Sequence, residues 1–485
     1  MEKQNKIIFL LFVLALLIRI IFVFSTPLRI WDETVYANLG YDLSKNPLDY
    51  SFAHNGWSDY IPSGGDTLYA WPKAGFRAPL LPYTLSLFYL FGAGSLVFLL
   101  LPVIGALSTI LVYIFSRRLF NERVALPSAI FFMLIPLHVV YSSKILTDAF
   151  STFFIILTFI CFWEGYEENN SKFKVLFGLL LALSLLARYT VLWIAPVFLI
   201  YFLIRDKSLK FLKDKYLWYS VILFFLILAP WFIYSYFSYG NPLVAFIHGF
   251  KASAYWGGIQ SWNFFFYYWK DIVSVIGLVF LGSLIYIFYK KQYMKKQIYL
   301  LLIWLFFFLA MAMLMPHKED RFILPIIPSI CILSGFLVGN LNKKLFRVLL
   351  ILIIAALLSF SLYTKYNRTQ AESYTDTNLC FLEGNLFLSN LSSNSVVITD
   401  ESPVIYYYSK KETHFYPNPW SIQALKNLID KNYVNKKGYI LFSDSDMPLS
   451  DSKNMQIKKD LDENFHKAFE CKKKEGLTVV YEYSP

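Results

Sequence analysis

Residues 7–24 read IIFLLFVLALLIRIIFVF, and just beyond them residues 31–43 read WDETVYANLGYDL. The first stretch is long enough to cross a hydrocarbon core of roughly 30 Å, and the second opens on a tryptophan and two carboxylates. Lys3 and Lys6 ahead of the apolar run mimic a signal peptide. No small-residue cleavage site follows, so the run is read as an uncleaved first span. Working outward, similar runs recur at about 96–117, 123–141, 148–164, 173–187, 189–204, 216–237, 271–289, 297–315, 322–339 and 345–363. About eleven spans are expected, with thirteen as the upper bound. Residues 79–93 are expected to form a dipping or interfacial helix, because a full crossing there would put Arg117-Arg118 on the wrong side.

The composition agrees. Of 485 residues 57% are hydrophobic and 16% charged, with a mean hydropathy of +0.48. A soluble chain carries about 25% charged residues, so a polytopic membrane protein is expected here. Near residue 364 the character changes. Residues 365–485 hold 15 Lys/Arg and 16 Asp/Glu, mixed as on a soluble surface, which leaves 30 basic and 17 acidic residues in 1–364. The net charge of +12 therefore belongs to the membrane part. It reflects topology rather than nucleic-acid binding.

Loop charges orient the bundle. Nineteen basic residues, from Lys3 to Arg347, fall on one side, against six in the short outer loops: Lys144, Arg188, Lys251, Lys270, Lys318 and Arg321. The basic side is cytoplasmic by the positive-inside rule, which places the N-terminus inside. An odd number of spans then puts residues 365–485 outside a plasma membrane that the chain crosses many times. The domains expected are 1–364, a transmembrane bundle with long outer loops at 25–95 and 238–270, and 365–485, a small extracytoplasmic α/β domain. Those loops carry Asp32, Glu33, Asp42, Asp49, Asp59 and Asp66 with Trp31, Trp57 and Trp71, and Tyr255, Trp256, Trp262 and Trp269. Loops of such length tend to be functional.

In the C-terminal region Val396–Thr399, Gly438–Phe442 and Leu477–Tyr481 read as strands, and Ser421 precedes an Ile422/Leu425/Leu428/Ile429 stripe that reads as a capped helix. Cys161 and Cys331 lie in apolar spans and are read as packing residues. Cys380 and Cys471 can pair if their domain faces an oxidising side.

Ionisable residues gather at the outer span ends. Asp32-Glu33 follow the first span, Asp148 opens the fourth, Arg188-Tyr189 break the fifth from the sixth, and His317-Lys318-Glu319-Asp320-Arg321 precede the tenth. Charges beside hydrocarbon are expensive and usually functional. Each has a plainer reading: Asp148 or Asp32 as a helix cap, residues 317–321 as a solvated turn, Arg77 as a snorkelling side chain.

Five stretches in order resemble the GT-C superfamily of membrane glycosyltransferases, which includes protein O-mannosyltransferases and lipid A aminoarabinose transferases. They are Trp31–Ala37, Phe76–Tyr83, Lys144–Phe150, Leu186–Thr190 and Pro316–Pro325. The resemblance implies a mostly α, GT-C-like bundle that moves a sugar from a polyprenyl phosphate (dolichyl or undecaprenyl) to a protein, lipid or glycan acceptor at the outer face. It implies Asp32 as catalytic carboxylate, Glu33 as its partner, Asp148 as the second acid and Arg77 at the donor phosphate. Ala78 stands where the family often has the first of two prolines, and the C-terminal domain has no Trp-Trp-Asp motif.

The residues suit that chemistry. A lipid phosphate leaves readily, so fixed cations at its departing charge matter more than a general acid, and Arg77, Arg188, Arg321 and Lys318 are the candidates. The acceptor hydroxyl needs a base on the opposite side of the anomeric carbon, which predicts inversion. Tyr189 and His317 are placed near the substrate. No cofactor is certain from the sequence; Asp32, Glu33 and Asp148 are the ligands for Mg²⁺ or Mn²⁺ if a metal takes part. The rival reading is a transporter or lipid flippase, whose ionisable sites usually lie at mid-membrane rather than at one face.

Overall fold

The structure, a computed structural model, describes residues 2–29, 31–52, 77–243, 246–247, 259–392, 395–432, 437–445 and 447–483. Trp57, Asp59, Asp66, Trp71, Lys251, Tyr255 and Trp256 lie outside the described residues. The chain divides into two compact units, one of Met1–Val23, Phe76–Leu81 and Phe98–Tyr366, the other of Phe24–Gly75, Pro82–Val97 and Asn367–Pro485.

The first unit is helical. Eight helices in the described residues are long and apolar enough to cross a membrane: Gln4–Val23, Gly94–Leu119, Thr147–Tyr166, Tyr189–Asp206, Lys215–Tyr239, Lys296–Leu314, Asp320–Gly339 and Lys344–Ser373. The other three expected spans contain shorter helices. The 123–141 run breaks into Glu122–Leu134 and Pro136–Tyr141, because Ile135 precedes a proline and is held extended. The 271–289 run breaks at Ser274, whose φ is 53°, leaving Ile276–Tyr289. Ser171–Ala187 has 17 residues. Leu80–Leu90 forms the expected extra helix, and its 11 residues reach only about 16 Å, too short to span.

Local signals start and stop these helices. Asn121, Asn170 and Asp214 accept backbone N–H groups at the starts of Glu122–Leu134, Ser171–Ala187 and Lys215–Tyr239. Gly240, at φ 72°, ends the last of these. Between helices, small residues permit close approach where no hydrophobic force drives association. A Cβ on Gly178 would collide with the Ser220 backbone, and one on Gly335 with Ser128. Phe159 stacks on Trp304 at 3.8 Å, and Phe162 packs against Phe198 at 4.5 Å. Cys161 and Cys331 are buried packing residues.

Within the first span a charge lies inside this packing. Arg19 is fully buried. Its guanidinium donates to Ala15 O at 2.8 Å and Ser142 Oγ at 2.9 Å, and its Nη2 lies 3.0 Å from His138 Nδ1. Ser143 Oγ returns a bond to Arg19 O at 3.0 Å. The contacts with Ser142, His138 and Ser143 thus fasten the 138–143 turn to the first helix.

The second unit is built on a five-stranded sheet in the order β2-β1-β3-β5-β4. β1 (Ser395–Thr399), β2 (Glu412–Phe415) and β3 (Lys437–Ser443) run parallel. β5 (Leu477–Tyr483) and β4 (His466–Lys472) complete the sheet antiparallel. The three expected strands are β1, β3 and β5. Ser421 Oγ accepts from Ala424 N at 3.0 Å, and the helix after it runs Ile422–Asn432. The two strands not expected are both edges, short or rich in charge, as exposed edges tend to be. A disulfide joins Cys380 to Cys471.

The Trp31–Lys45 helix of the first outer loop belongs to this second unit. The spacing of Tyr36, Leu39 and Leu43 predicts a helix from about Thr34, with Asp32 as its cap and that face against the bilayer. Instead the helix begins at Trp31, Asp32 lies within its first turn, and those three residues are buried in protein.

Candidate active site

In the first unit, Leu146 is extended and offers no side-chain cap, so the helix Thr147–Tyr166 starts with Asp148 in its first turn rather than at its cap. A carboxylate there faces the positive end of the helix dipole. Asp148 is 2% exposed and its Oδ1 lies 2.7 Å from Arg188 Nη1. Arg188 ends the Ser171–Ala187 helix in an extended conformation, which turns its side chain back towards Thr147. It donates to Thr147 Oγ1 at 3.1 Å and Thr190 Oγ1 at 3.2 Å, and its guanidinium lies 5.2 Å from the Phe322 ring centre. The next residue, Tyr189, donates its hydroxyl to the Arg77 carbonyl at 3.2 Å. Four of the expected stretches therefore meet.

The 316–325 stretch forms a second cluster. Glu319 takes Arg321 Nε at 2.7 Å and His317 Nε2 at 3.1 Å. Burial alone would push the Glu319 carboxyl up; the Arg321 guanidinium and the bonds from Arg321 and His317 outweigh it and hold the carboxyl below its usual value. Lys318 is 3% exposed. Its ammonium donates to Met315 O at 2.6 Å and Gln260 O at 3.0 Å, and burial lowers its pKa. Gln260 also takes the Lys318 backbone N–H and pairs with His317 Nδ1 at 3.2 Å. Asp320 accepts the Tyr141 hydroxyl at 2.6 Å.

Asp32 and Glu33 stand in the second unit. Glu33 is buried, 3.8 Å from Arg29 Nη1. Arg29 N donates to the Tyr408 hydroxyl at 3.0 Å, Trp31 packs on Phe415 at 6.0 Å, and Thr34 Oγ1 donates to Trp31 O at 2.8 Å. The turn that presents Asp32 is thus held by residues from the C-terminal half of the chain.

Sequence reasoning missed Gln260, Tyr141 and Arg19. The last was visible as the lone arginine in the first apolar run. Gln260 and Tyr141 are neutral and carry no pattern that distinguishes them from their neighbours. Among the described residues no three His, Cys, Asp or Glu side chains are placed to share a metal ion.

Residues 76–234 match the family model described as dolichyl-phosphate-mannose-protein mannosyltransferase. No curated protein matches the chain in sequence. Among solved structures, ArnT from Cupriavidus metallidurans bound to undecaprenyl phosphate has a TM-score of 0.73 at 14% identity, covering 97% of both chains. The Archaeoglobus fulgidus oligosaccharyltransferase in complex with Zn and sulfate has a TM-score of 0.61 at 15% identity, covering 97% of this chain and 72% of that one. The oligosaccharyltransferase AglB from the same organism, in complex with an inhibitory peptide and a dolichol-phosphate, gives 0.60 at 14% identity, over 98% and 74%. At these identities the likeness is one of fold, and the family match lies over the stretch that supplies Arg77, Asp148, Arg188 and Tyr189. The chain thus shares the fold of these structures, and the resemblance to the mannosyltransferase and aminoarabinose-transferase enzymes read from its motifs is supported over residues 76–234.

Proposed function

We propose that the protein transfers a sugar from a polyprenyl phosphate to an acceptor hydroxyl at the outer face of the membrane, with inversion at the anomeric carbon. The observation that carries this reading is the Asp148–Arg188 pair at 2.7 Å, inside the stretch matched by a lipid-phosphate mannosyltransferase family. An arginine has five N–H donors in a planar fork, so Arg188, with Nε on Thr190 and Nη1 on Thr147 and Asp148, keeps the two N–H groups of Nη2 for a phosphate. Asp148 keeps that fork oriented. Two of the similar structures were solved with undecaprenyl phosphate or dolichol-phosphate bound, which supports a polyprenyl carrier here.

In the transfer, Asp32 takes the proton of the acceptor hydroxyl as its oxygen forms a bond to the anomeric carbon. The bond from that carbon to the phosphate oxygen breaks, and the electron pair leaves with the lipid phosphate. Arg77, Arg188 and Arg321 are the cations that meet the departing charge, and Glu33 supports Asp32. Lys318, with its ammonium on two carbonyls, holds the 316–321 turn and the Gln260 segment together, which places His317 and Arg321.

The test is to incubate purified protein with a panel of polyprenyl-phosphate sugars and acceptors and to follow carrier release by mass spectrometry. Release that depends on both donor and acceptor is expected. Failure to bind any polyprenyl phosphate, measured directly on folded protein, sinks the reading.

A further inference from the structure

A basic and aromatic patch in the second unit takes no part in the transfer described above. Lys410 follows the Ser402–Ser409 helix in a left-handed conformation (φ 55°). This turns its side chain back over the tyrosines of that helix and of the Trp31–Lys45 helix. Its ammonium lies 4.5 Å from the ring centre of Tyr41, 4.9 Å from that of Tyr407, and 5.8 Å from those of Tyr89 and Tyr406. Lys45 lies 3.9 Å from the centre of the Tyr41 ring, and Tyr41 meets Tyr89 edge-on at 5.4 Å.

Two ammonium groups therefore converge on one tyrosine, yet neither has a carboxylate within 4 Å among the described residues. The nearby acid, Asp42, is buried and takes the Tyr406 hydroxyl at 2.6 Å. Beside this patch the chain exposes large apolar side chains. Leu90 is 62% and Phe91 80% exposed, Leu48 is 79% exposed, and Leu87 and Leu96 are also open. Apolar residues flanked by tyrosines and lysines are the composition of a segment that lies at a membrane surface.

We propose that Lys410 and Lys45, with Tyr41 between them, bind the phosphate of an anionic phospholipid whose chains lie against Leu87, Leu90 and Phe91. Charge complementarity selects this occupant, since a zwitterionic headgroup would bring its own cation to two unpaired ammonium groups. Cation–π contacts hold each ammonium in place without neutralising it. Burial among the rings pulls Lys410 down to about 8; Asp42 works against that and Lys45 with it. A bound phosphate would keep Lys410 protonated, so lipid retention should weaken as pH rises through about 8. The groups that face Lys410 are Tyr41, Tyr89, Tyr406, Tyr407, Asp42 and Lys45.

The test reconstitutes the full chain into phosphatidylcholine vesicles doped with phosphatidylglycerol, extracts it in mild detergent, and counts retained lipids by native mass spectrometry. Wild type should retain phosphatidylglycerol preferentially. Lys45→Gln and Lys410→Gln should each lose it by about fivefold, the equivalent of the ~1 kcal/mol a basic residue near an anionic surface supplies. Lys410→Arg should retain it, and so should Asp32→Asn, which separates this site from the transfer reaction. Both lysines are exposed, and the Lys45→Gln variant reports on binding even if Lys410→Gln fails to fold. Equal phosphatidylglycerol retention in wild type and the Lys45→Gln variant overturns the proposal. So does displacement of the lipid by soluble glycerol phosphate at matched concentration, which would mark a site for free anions.

Discussion

A carboxylate that takes a proton from an acceptor hydroxyl must be ionised and held within hydrogen-bond reach of it. Asp32 lies in the first turn of its helix, where the dipole favours the charged form. Asp32→Asn keeps the shape and removes the charge, so turnover should fall by about 10²-fold or more while donor binding persists. Unchanged turnover would pass the role to Glu33 or Asp148. Because the residue is not the cap, Asp32→Ala should cost only about 0.5 kcal/mol through the dipole, read from thermal unfolding. Arg188 is different. Its removal strands a carboxylate that is 2% exposed, so Arg188→Ala should destabilise by roughly 3–5 kcal/mol and abolish donor binding. Arg188→Lys should restore part of the stability and little of the binding, since a point charge cannot replace the fork. The pair Asp148→Asn with Arg188→Gln should recover stability without activity. A double variant that binds donor like wild type would mean Arg188 serves structure alone. Glu319 gives a pH signature. Its carboxyl is held below the usual value in the folded protein. The stability this adds is present at neutral pH and is lost as pH falls from the ordinary carboxylate value through the lowered one. Arg321→Gln should move that acid loss to higher pH in melting experiments.

What positions Asp32 is a contact between two helices far apart in sequence. Asn38 Nδ2 donates to Pro403 O at 2.8 Å and the Tyr406 hydroxyl to Asp42 at 2.6 Å, so the Ser402–Ser409 helix holds the Trp31–Lys45 helix at two points. Tyr406→Phe deletes one donor to a buried carboxylate and should cost about 2 kcal/mol. Turnover should fall with little change in donor affinity, because the arginines belong to the other unit. A drop in donor affinity alone would contradict this arrangement. None of it was legible from residues 31–45 by themselves. Their apolar positions Tyr36, Leu39 and Leu43 have the spacing of a helix face, but periodicity does not say whether that face meets lipid or protein. The spans were legible for the converse reason: twenty apolar residues in a row have few alternatives to a crossing helix. Where the reading slipped, the cause was local. Pro136 and Ser274 break two of the runs, and β2 and β4 are edge strands whose polar faces hide their alternation.

Two physical signals of different origin bear on how the whole chain sits in its membrane. One is electrostatic: basic residues crowd one set of loops. The other is covalent. Cys380 and Cys471 are bonded across a loop of 91 residues, and such bonds persist on oxidising sides of membranes. Both favour the proposal that residues 365–485 lie outside. Replacing either cysteine by Ser should destabilise the second unit by roughly 2–5 kcal/mol. The orientation itself is tested at Ser452, which is exposed at the start of the Ser452–Asn464 helix. Cys161 and Cys331 are buried and the other two cysteines are bonded, so a cysteine introduced there is read against a low background. Ser452→Cys should react with an impermeant thiol reagent in intact cells. Labelling only after lysis would invert the bundle, moving Asp148, Arg188 and Arg321 to the cytoplasmic face, and the proposed transfer at the outer face would fall with it.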